Sequence, residues 1–500
     1  MAIKRQGVIA LPKHDNALLN YGIALIICAI AIIVLLWVFD SLLYLEFGCL
    51  TLMAISPFLF SRIDFLQPIY WFSIEFLLHI CVRSLLIAIG WRPLTLSSPY
   101  LTYSMALALL QPAMLIAGIG FVSFMIGYFS PFSKYLGAKL RYRISFILLP
   151  HKGVINRLFF IWLLGWIFRI ASVLKGGSSF WINVLWSNYI QPNPAEIGPL
   201  DFLASIRRIG LIGLWSFYFR QKDRSSRLIM FCYSVLGIEM IFGIASGLKQ
   251  YMIEPILGVA VAYAIGRPGA RIRFRLILTI VIIAMISVLW VGSYRYQTLD
   301  VSPNLAKQEL IRDVLVYGSR QLSLDMQSLI EQIGNRLDLD YLLLIMAYVP
   351  ERIPFAYGGT FLPQMALNFV PQFLWHGRSS LSRDFFIELS GPSIGGTAPT
   401  LFGDLYFNFG VIGVFVGMLF VGFIVKTLYA WLASDRSGDI GAAIIFGSLL
   451  LRWFDIVGLG MINILYPLVR ELPIGLVIMW LIRDKRTTIS IDPEVRSLDL

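Results

Sequence analysis

The chain has 500 residues, of which 58% are hydrophobic and only 14% are charged, and its formal net charge is +12. Soluble domains carry about a quarter charged residues, so the composition excludes an ordinary soluble domain and indicates a polytopic membrane protein. The positive charge lies in short segments between apolar runs, at 133–143, 220–227, 266–275 and 483–486. This pattern is typical of loops that set membrane orientation and not of a nucleic-acid-binding face.

Residues 1–20 are basic and polar, with no small-residue cleavage site after them, and we predict a retained cytoplasmic tail. We then expect about twelve membrane-spanning helices, because lipid requires each backbone polar group to be bonded within its own segment. Helices 1–9 fall within 21–292, a large outer loop covers 293–401, helices 10–12 fall within 402–482, and 483–500 form a second cytoplasmic tail. The predicted spans are 21–39, 43–60, 69–89, 103–127, 157–174, 202–219, 228–246, 250–265, 275–292, 402–431, 440–457 and 462–482.

The outer loop at 293–401 begins with apolar residues at helical spacing between 310 and 333, with charges between them. We therefore predict an all-α protein whose long outer loop is itself partly helical. The four cysteines lie within apolar runs and lack the spacing of a disulfide framework or a metal cluster. We expect neither a metal nor another cofactor.

Ionisable residues recur within the predicted spans, mostly in the halves that the topology assigns to the outer face. Glu75 and Glu239 lie nearer the middle. One interpretation is that these are helix ends and structural ion pairs, such as Arg452 with Asp455. The other is a largely cationic cavity that opens outwards and binds an anion such as a lipid-linked pyrophosphate. The residues in the outer halves are Arg83, Arg169, Arg207, Arg208, Lys249, Arg452, Asp455, Arg470 and Glu471.

Two stretches near the end of the outer loop resemble a known family. They read YVPERIPFAYGGTFLPQMALNFVPQFLWHGR at 348–378 and GGTAPTLFGDLYFNFGVIGVFVG at 395–417. They look like the oligosaccharide repeat-unit polymerases (Wzy-type O-antigen polymerases), in which P-E-x-x-P, a G-x-[ST]-like step and P-R-x-x-W-x-x-K precede G-[ED]-x-Y-x-N-F-G. Gln372 stands where arginine is usual, and Arg378 stands near the expected lysine. The matching positions are Pro350, Glu351, Pro354, Gly359, Pro371, Trp375, Gly403, Asp404, Tyr406, Asn408, Phe409 and Gly410.

This resemblance implies a metal-independent glycosyltransferase of the bacterial inner membrane. Such a polymerase joins oligosaccharide repeat units, carried on polyprenyl (undecaprenyl) pyrophosphate, into a surface polysaccharide such as the O-antigen of lipopolysaccharide. A polysaccharide chain-length regulator is a further expected partner. The alternatives are a ligase that moves the glycan to another acceptor and a flippase or transporter of lipid-linked glycan. A flippase needs charge along a path through the membrane and has less use for a long outer loop with motifs.

In this reaction, cationic side chains would stabilise the pyrophosphate leaving group, and a carboxylate or imidazole would accept the proton of the acceptor hydroxyl. The catalytic candidates are Asp404, Glu351, Arg352 and Arg378. The substrate-binding candidates are Lys249, Arg207, Arg208, Arg383, Trp375, His376, Tyr406 and Asn408. Structural roles stay open for several of them: an ion pair between Glu351 and Arg352, contacts of loop arginines with lipid headgroups, and a hydrogen-bonded loop histidine at His376.

The start of the tenth predicted span combines polar and small residues. Asp404 and Asn408 are spaced i, i+4 and therefore share one face of the helix as it enters the membrane. We expect that face to form part of the wall of the cavity. Gly413 and Gly417 form a small-xxx-small step, which predicts close packing on a neighbouring helix.

Overall fold

The computed structural model describes residues 42–60, 64–90, 101–144, 146, 148, 152–175, 194–221, 225–246, 249–268, 339–363, 400–436, 438–454, 456–458 and 460–483. Every regular element within these ranges is helical, as predicted. The helices are α1 (Leu42–Phe60), α2 (Pro68–Ala88), α3 (Tyr103–Phe129), α4 (Pro131–Arg143), α5 (Lys152–Leu174), α6 (Pro194–Ala204), α7 (Arg207–Arg220), α8 (Ser226–Ser246), α9 (Lys249–Gly266), α10 (Leu339–Tyr348), α11 (Leu401–Leu432), α12 (Ile440–Arg452), α13 (Met461–Val469) and α14 (Glu471–Ile482).

Among the described residues, six helical stretches are long and apolar enough to cross a membrane, as is typical of an integral membrane protein. Each predicted span within the described ranges overlaps a helix or a pair of helices, but the helix in the span predicted at 440–457 ends at Arg452. The predicted span at 202–219 is interrupted at 205–206, between α6 and α7, and the one at 462–482 is interrupted at Arg470, between α13 and α14. The spans at 21–39 and 275–292 and most of the loop at 293–401 lie outside the described residues, so the count of about twelve stays a prediction.

Helix α11 contains a sharp break that the sequence analysis did not anticipate. Phe409 and Gly410 leave helical geometry, and Gly410 has φ +64° and ψ −151°, a conformation that essentially only glycine adopts. The break folds residues 401–408 back against the rest of the helix. A Cβ at Gly413 would overlap the Leu405 carbonyl oxygen, and one at Gly417 would overlap the Leu405 side chain. The first turns of α11 therefore pack on these two glycines of the same helix. The prediction that this step packs on a neighbouring helix is wrong.

The close contact with a neighbouring helix lies further along α11. A Cβ at Gly127 in α3 would overlap the Leu419 carbonyl oxygen, and one at Gly422 would overlap the Phe124 carbonyl oxygen. Glycine on both helices lets the two backbones touch, as in other closely packed membrane helices. Gly120 meets Val414 at one end of this contact and Gly127 meets Leu419 further on, so α3 and the long part of α11 run in the same direction.

Glycine contacts of this kind show in which direction each helix runs, and these directions define two ends of the bundle. Gly165 of α5 meets Arg207 at the start of α7, and Gly213 further along α7 meets Leu158 nearer the start of α5, so these helices are antiparallel. We call the end at which α7, α9, α11 and α13 begin the motif end, because Asp404 lies there. The opposite end, at which α5, α8 and α12 begin, is called the basic end.

Candidate functional site

The two sequence stretches that carry the family resemblance meet at the motif end. The break in α11 leaves the carbonyl oxygens of Phe407 and Asn408 without their usual helical partners. They accept hydrogen bonds from the backbone N–H groups of Ala356 (3.1 Å) and Tyr357 (3.0 Å). These two hydrogen bonds join the turn after α10 to the broken part of α11.

Side chains complete this contact, which we call the clamp (Gly358, Thr360, Asp404, Asn408 and Met461). The Asn408 side chain accepts from Gly358 N–H (2.8 Å) and donates to the Thr360 hydroxyl oxygen (2.6 Å). Asp404 accepts from the Thr360 hydroxyl (2.6 Å), from the Asn408 amide (3.2 Å) and from Met461 N–H at the start of α13 (2.8 Å). The predicted shared face of Asp404 and Asn408 is confirmed, and it joins three segments of the chain. Neither residue lines either of the two cavities described below, so the expectation that this face forms part of a cavity wall is wrong for them.

The clamp suggests a role for Asp404. Its side chain is only 2% exposed and both of its oxygens accept hydrogen bonds. A carboxylate in this state holds neighbouring segments in place, and the geometry favours positioning over proton transfer. Asn408 is fully buried and has the same character.

The other predicted residues of the motif stretches are more open. Glu351 and Arg352 are both exposed in the turn after α10. The Arg352 guanidinium lies 5.2 Å from the centre of the Tyr348 ring and makes no ion pair with Glu351 in this described turn. Tyr406 is partly buried, and its ring centre lies 6.4 Å from that of Phe355. The fold thus leaves Glu351 and Arg352 accessible beside a buried clamp.

Arg207 and Arg208 lie elsewhere at the motif end, at the start of α7, where both are almost fully buried. Arg207 forms ion pairs with Glu239 and with Glu254 (3.2 Å). Arg208 binds Glu254 at 2.6 Å and lies 3.4 Å from Glu471. Glu239 also accepts from two indole N–H groups. The donors of those two bonds are Trp162 (2.9 Å) and Trp166 (3.1 Å).

Arg452 extends this arginine–glutamate network (Arg207, Arg208 and Arg452 with Glu239, Glu254 and Glu471). Its Nε atom donates to Glu471 at 3.0 Å, and its side chain is 36% exposed. Within the described residues, arginines and glutamates of the network are equal in number. Within this network there is no surplus of positive charge, because glutamates of three other helices neutralise the arginines. Arg452 pairs here with Glu471; Asp455 lies outside the described residues.

A cavity of about 450 Å³ lies beside this network, between α2, α9, α12 and α13. We call it the polar cavity because charged and polar side chains line it, although apolar side chains such as Trp71 and Phe454 form much of its wall. Its polar lining includes Glu75, His79, Gln250, Glu254, Arg452, Asn463 and Tyr466. Glu254 and Arg452 thus belong both to the network and to the cavity wall. The cavity is large enough for part of a small polar ligand.

An apolar groove of about 720 Å³ lies on the other side of α13. Its walls come from the broken helix α11, from Phe361 and Leu362 after the clamp, and from α13 itself. Asn463 and Tyr466 of α13 face the polar cavity, whereas Met461 and Leu465 face the groove. One amphipathic helix of nine residues therefore separates a polar cavity from an apolar groove.

Several predicted residues are not placed by the structure. Arg378, Arg383, Trp375 and His376 lie outside the described residues. Lys249 begins α9, but its side chain is also outside what the structure describes.

Conversely, the sequence analysis did not select His79, Gln250, Asn463 and Tyr466 as site residues, although they line the cavity. A usable signal was the i, i+4 spacing of Glu75 and His79 on an otherwise apolar helix, the spacing that singled out Asp404 and Asn408.

Among the described residues, no group of three or more His, Cys, Asp or Glu side chains is placed to hold a metal ion. Comparisons of the chain with models of known protein families, with curated proteins and with solved structures found no match. The functional argument therefore depends on the site itself and on the resemblance of the two motif stretches.

Proposed function

We propose that this protein is a polymerase that joins lipid-pyrophosphate-linked oligosaccharide repeat units into a surface polysaccharide at the outer face of the bacterial inner membrane. The observation that carries the proposal is the pair of compartments separated by α13. An amphiphile with a polar head and a long hydrocarbon tail needs a polar cavity and an apolar groove side by side. The groove is lined almost entirely by apolar side chains, which suits a polyprenyl tail.

The leaving group of this reaction is a polyprenyl pyrophosphate, whose developing negative charge must be stabilised by fixed donors. Arg452 is the arginine that lines the described cavity, and it is partly exposed there. Its guanidinium offers a planar set of donors suited to phosphate oxygens. Arg352 is accessible near the clamp, and we keep Arg378 and Arg383 of the same loop as further candidates.

The clamp is a second observation that supports the proposed function. Asp404, Asn408 and the Gly359–Thr360 step belong to the stretches that resemble the repeat-unit polymerases, and they hold the turn after α10 over the break in α11. In the chain, these contacts flank the segment that carries Arg378, Trp375 and His376. We infer that the motif residues position the outer loop over the substrate, with Tyr406 and Trp375 available to contact sugar rings.

Deletion of the gene tests the proposed function. Surface polysaccharide extracted from the deletion strain should lose its multi-repeat ladder on a gel while core carrying a single repeat remains. The ladder should return on complementation with the intact gene. Loss of all capped core would instead indicate a ligase or a flippase, and an unchanged ladder would contradict the proposal.

A further inference from the structure

We propose that His79 is the residue that takes up the proton of the acceptor hydroxyl, in the polar cavity between α2, α9, α12 and α13. This inference rests on the proposed function and adds a catalytic residue that lies on a helix and not on the motif-bearing loop. Besides His79, the titratable and charged groups that line this cavity are Glu75 on the same helix, Glu254 on α9, Arg452 on α12 and Tyr466 on α13.

The two carboxylates of the cavity are already engaged. Glu254 is 4% exposed and accepts hydrogen bonds from both Arg207 and Arg208. Its oxygens are therefore occupied by two guanidinium groups of the network. Glu75 is 6% exposed and accepts a hydrogen bond from Val457 N–H at 3.0 Å. Both carboxylates therefore stabilise the fold around the cavity.

The two other ionisable side chains of the cavity, Tyr466 and Arg452, are less suited than His79 to accept a proton. Tyr466 accepts a hydrogen bond at its hydroxyl from Arg470 at 2.9 Å, and Arg452 is a permanent cation. Neither is suited to accept a proton near neutral pH. Imidazole is the side chain that exchanges a proton most readily in that range, and His79 is partly exposed where it lines the cavity.

The local backbone also distinguishes His79. Residues Leu77–Val82 form a π-helical turn within α2, and His79 lies inside it. Single π-turns within α-helices are rare and are frequent at functional sites, because the wider turn re-aims side chains. Leu78 of the same turn also lines the cavity. The turn thus presents adjacent side chains to one ligand-sized space.

The chemical step balances with the groups named. The acceptor sugar hydroxyl attacks the anomeric carbon of the donor sugar, and the bond between that carbon and the pyrophosphate oxygen breaks. The electron pair of the broken bond leaves with the polyprenyl pyrophosphate, near Arg452. The hydroxyl proton moves to the unprotonated imidazole nitrogen of His79, which later releases it to water.

The test uses purified full-length protein in proteoliposomes with lipid-linked repeat units. Replacing His79 with Ala should lower the polymerisation rate by about a hundredfold to ten-thousandfold. The wild-type rate should fall as the pH is lowered and imidazole becomes protonated, whereas the residual rate of the variant should lose this dependence. Added imidazole should restore part of the activity of His79→Ala. The matched control is Leu77→Ala, which changes the same turn without removing a cavity residue and should keep the wild-type pH profile.

His79→Gln preserves side-chain size and serves if His79→Ala does not fold; it should show the same loss of rate and of pH dependence. A His79 variant with the wild-type rate and pH profile would overturn the inference. That result would leave the proposed function intact if gene deletion still removes the ladder. An unchanged ladder in the deletion strain would instead overturn the function itself.

Discussion

The buried arginines of the motif end and the basic residues of the basic end have different surroundings. At the motif end, Arg83 pairs with Asp340, and Arg207 and Arg208 pair with buried glutamates; all three arginines are at most 3% exposed. At the basic end the lysines and arginines are mostly exposed, and the ion pair of Arg436 with Asp64 is itself partly open, at 15% and 16% exposure. The exposed basic residues there are Lys134, Lys139, Lys152, Arg157, Arg220, Arg227, Arg267 and Arg483.

The comparison shows that the basic residues of this chain have two physical roles. Exposed cations on one side of a membrane protein set its orientation and need no partners. Cations buried among helices must be neutralised, because an unpaired buried charge costs several kcal/mol. We infer that the basic end faces the cytoplasm and that the motif end, with the clamp and the cavity, faces outwards.

The largest expected effect is an all-or-none difference in labelling between the two ends. In a background that lacks the four native cysteines, Glu351→Cys should react with a membrane-impermeant thiol reagent in intact spheroplasts, because this residue is exposed at the motif end. Arg227→Cys, exposed near the basic end, should react only after lysis. The reverse pattern would invert the proposed orientation.

The second prediction contrasts a buried ion pair with a more open one. Glu254→Gln preserves the size of the side chain but leaves Arg207 and Arg208 without their shared carboxylate. The free energy of unfolding in detergent should fall by about 3–5 kcal/mol, as for other buried pairs that lose one partner.

The control for this prediction is Arg436→Ala at the basic end. It removes the partly exposed ion pair with Asp64, while the hydrogen bond from the Tyr429 hydroxyl to Asp64 remains. Its effect on unfolding should be about 1 kcal/mol or less. Equal losses from the two variants would contradict the distinction between the ends.

The smallest predicted effect concerns the break in α11 at the motif end. Gly410→Ala should lower the unfolding free energy by about 1–3 kcal/mol, because its positive φ is strained for a residue with a side chain. A Cβ there would also approach Phe355 to 3.1 Å. Thermal unfolding in detergent measures the change.

Gly237→Ala in α8 is the matched control for Gly410→Ala. A Cβ at Gly237 meets nothing within 4 Å, and its backbone is helical. Its stability should stay unchanged or rise by up to about 1 kcal/mol, since alanine favours a helix over glycine. If Gly410→Ala were as well tolerated as Gly237→Ala, the break would not depend on glycine.

The helices themselves could be predicted well from the sequence. Apolar runs of about 20 residues are helical in lipid for backbone reasons that need no tertiary contacts. For the same reason the pairing of Asp404 with Asn408 was predictable, because i, i+4 geometry is local to one helix. The placement of basic residues in short loops was visible in the same way.

What the sequence could not reveal is which distant groups meet. Counting arginines indicated a cationic cavity, but Glu254 reaches Arg208 from 46 positions away and Glu471 reaches it from 263 positions away. Likewise, Gly413 and Gly417 had the spacing of a packing motif, and only the break at Gly410 turned them towards Leu405.

By itself, the sequence determined the helical elements, their apolar character and the local faces that each helix presents. The tertiary structure decided which charges are neutralised, that α13 separates a polar cavity from an apolar groove, and that His79 lines the cavity. The physical reason is range: backbone bonding and hydropathy act within one segment, whereas charge balance and cavity shape depend on side chains brought together from distant segments.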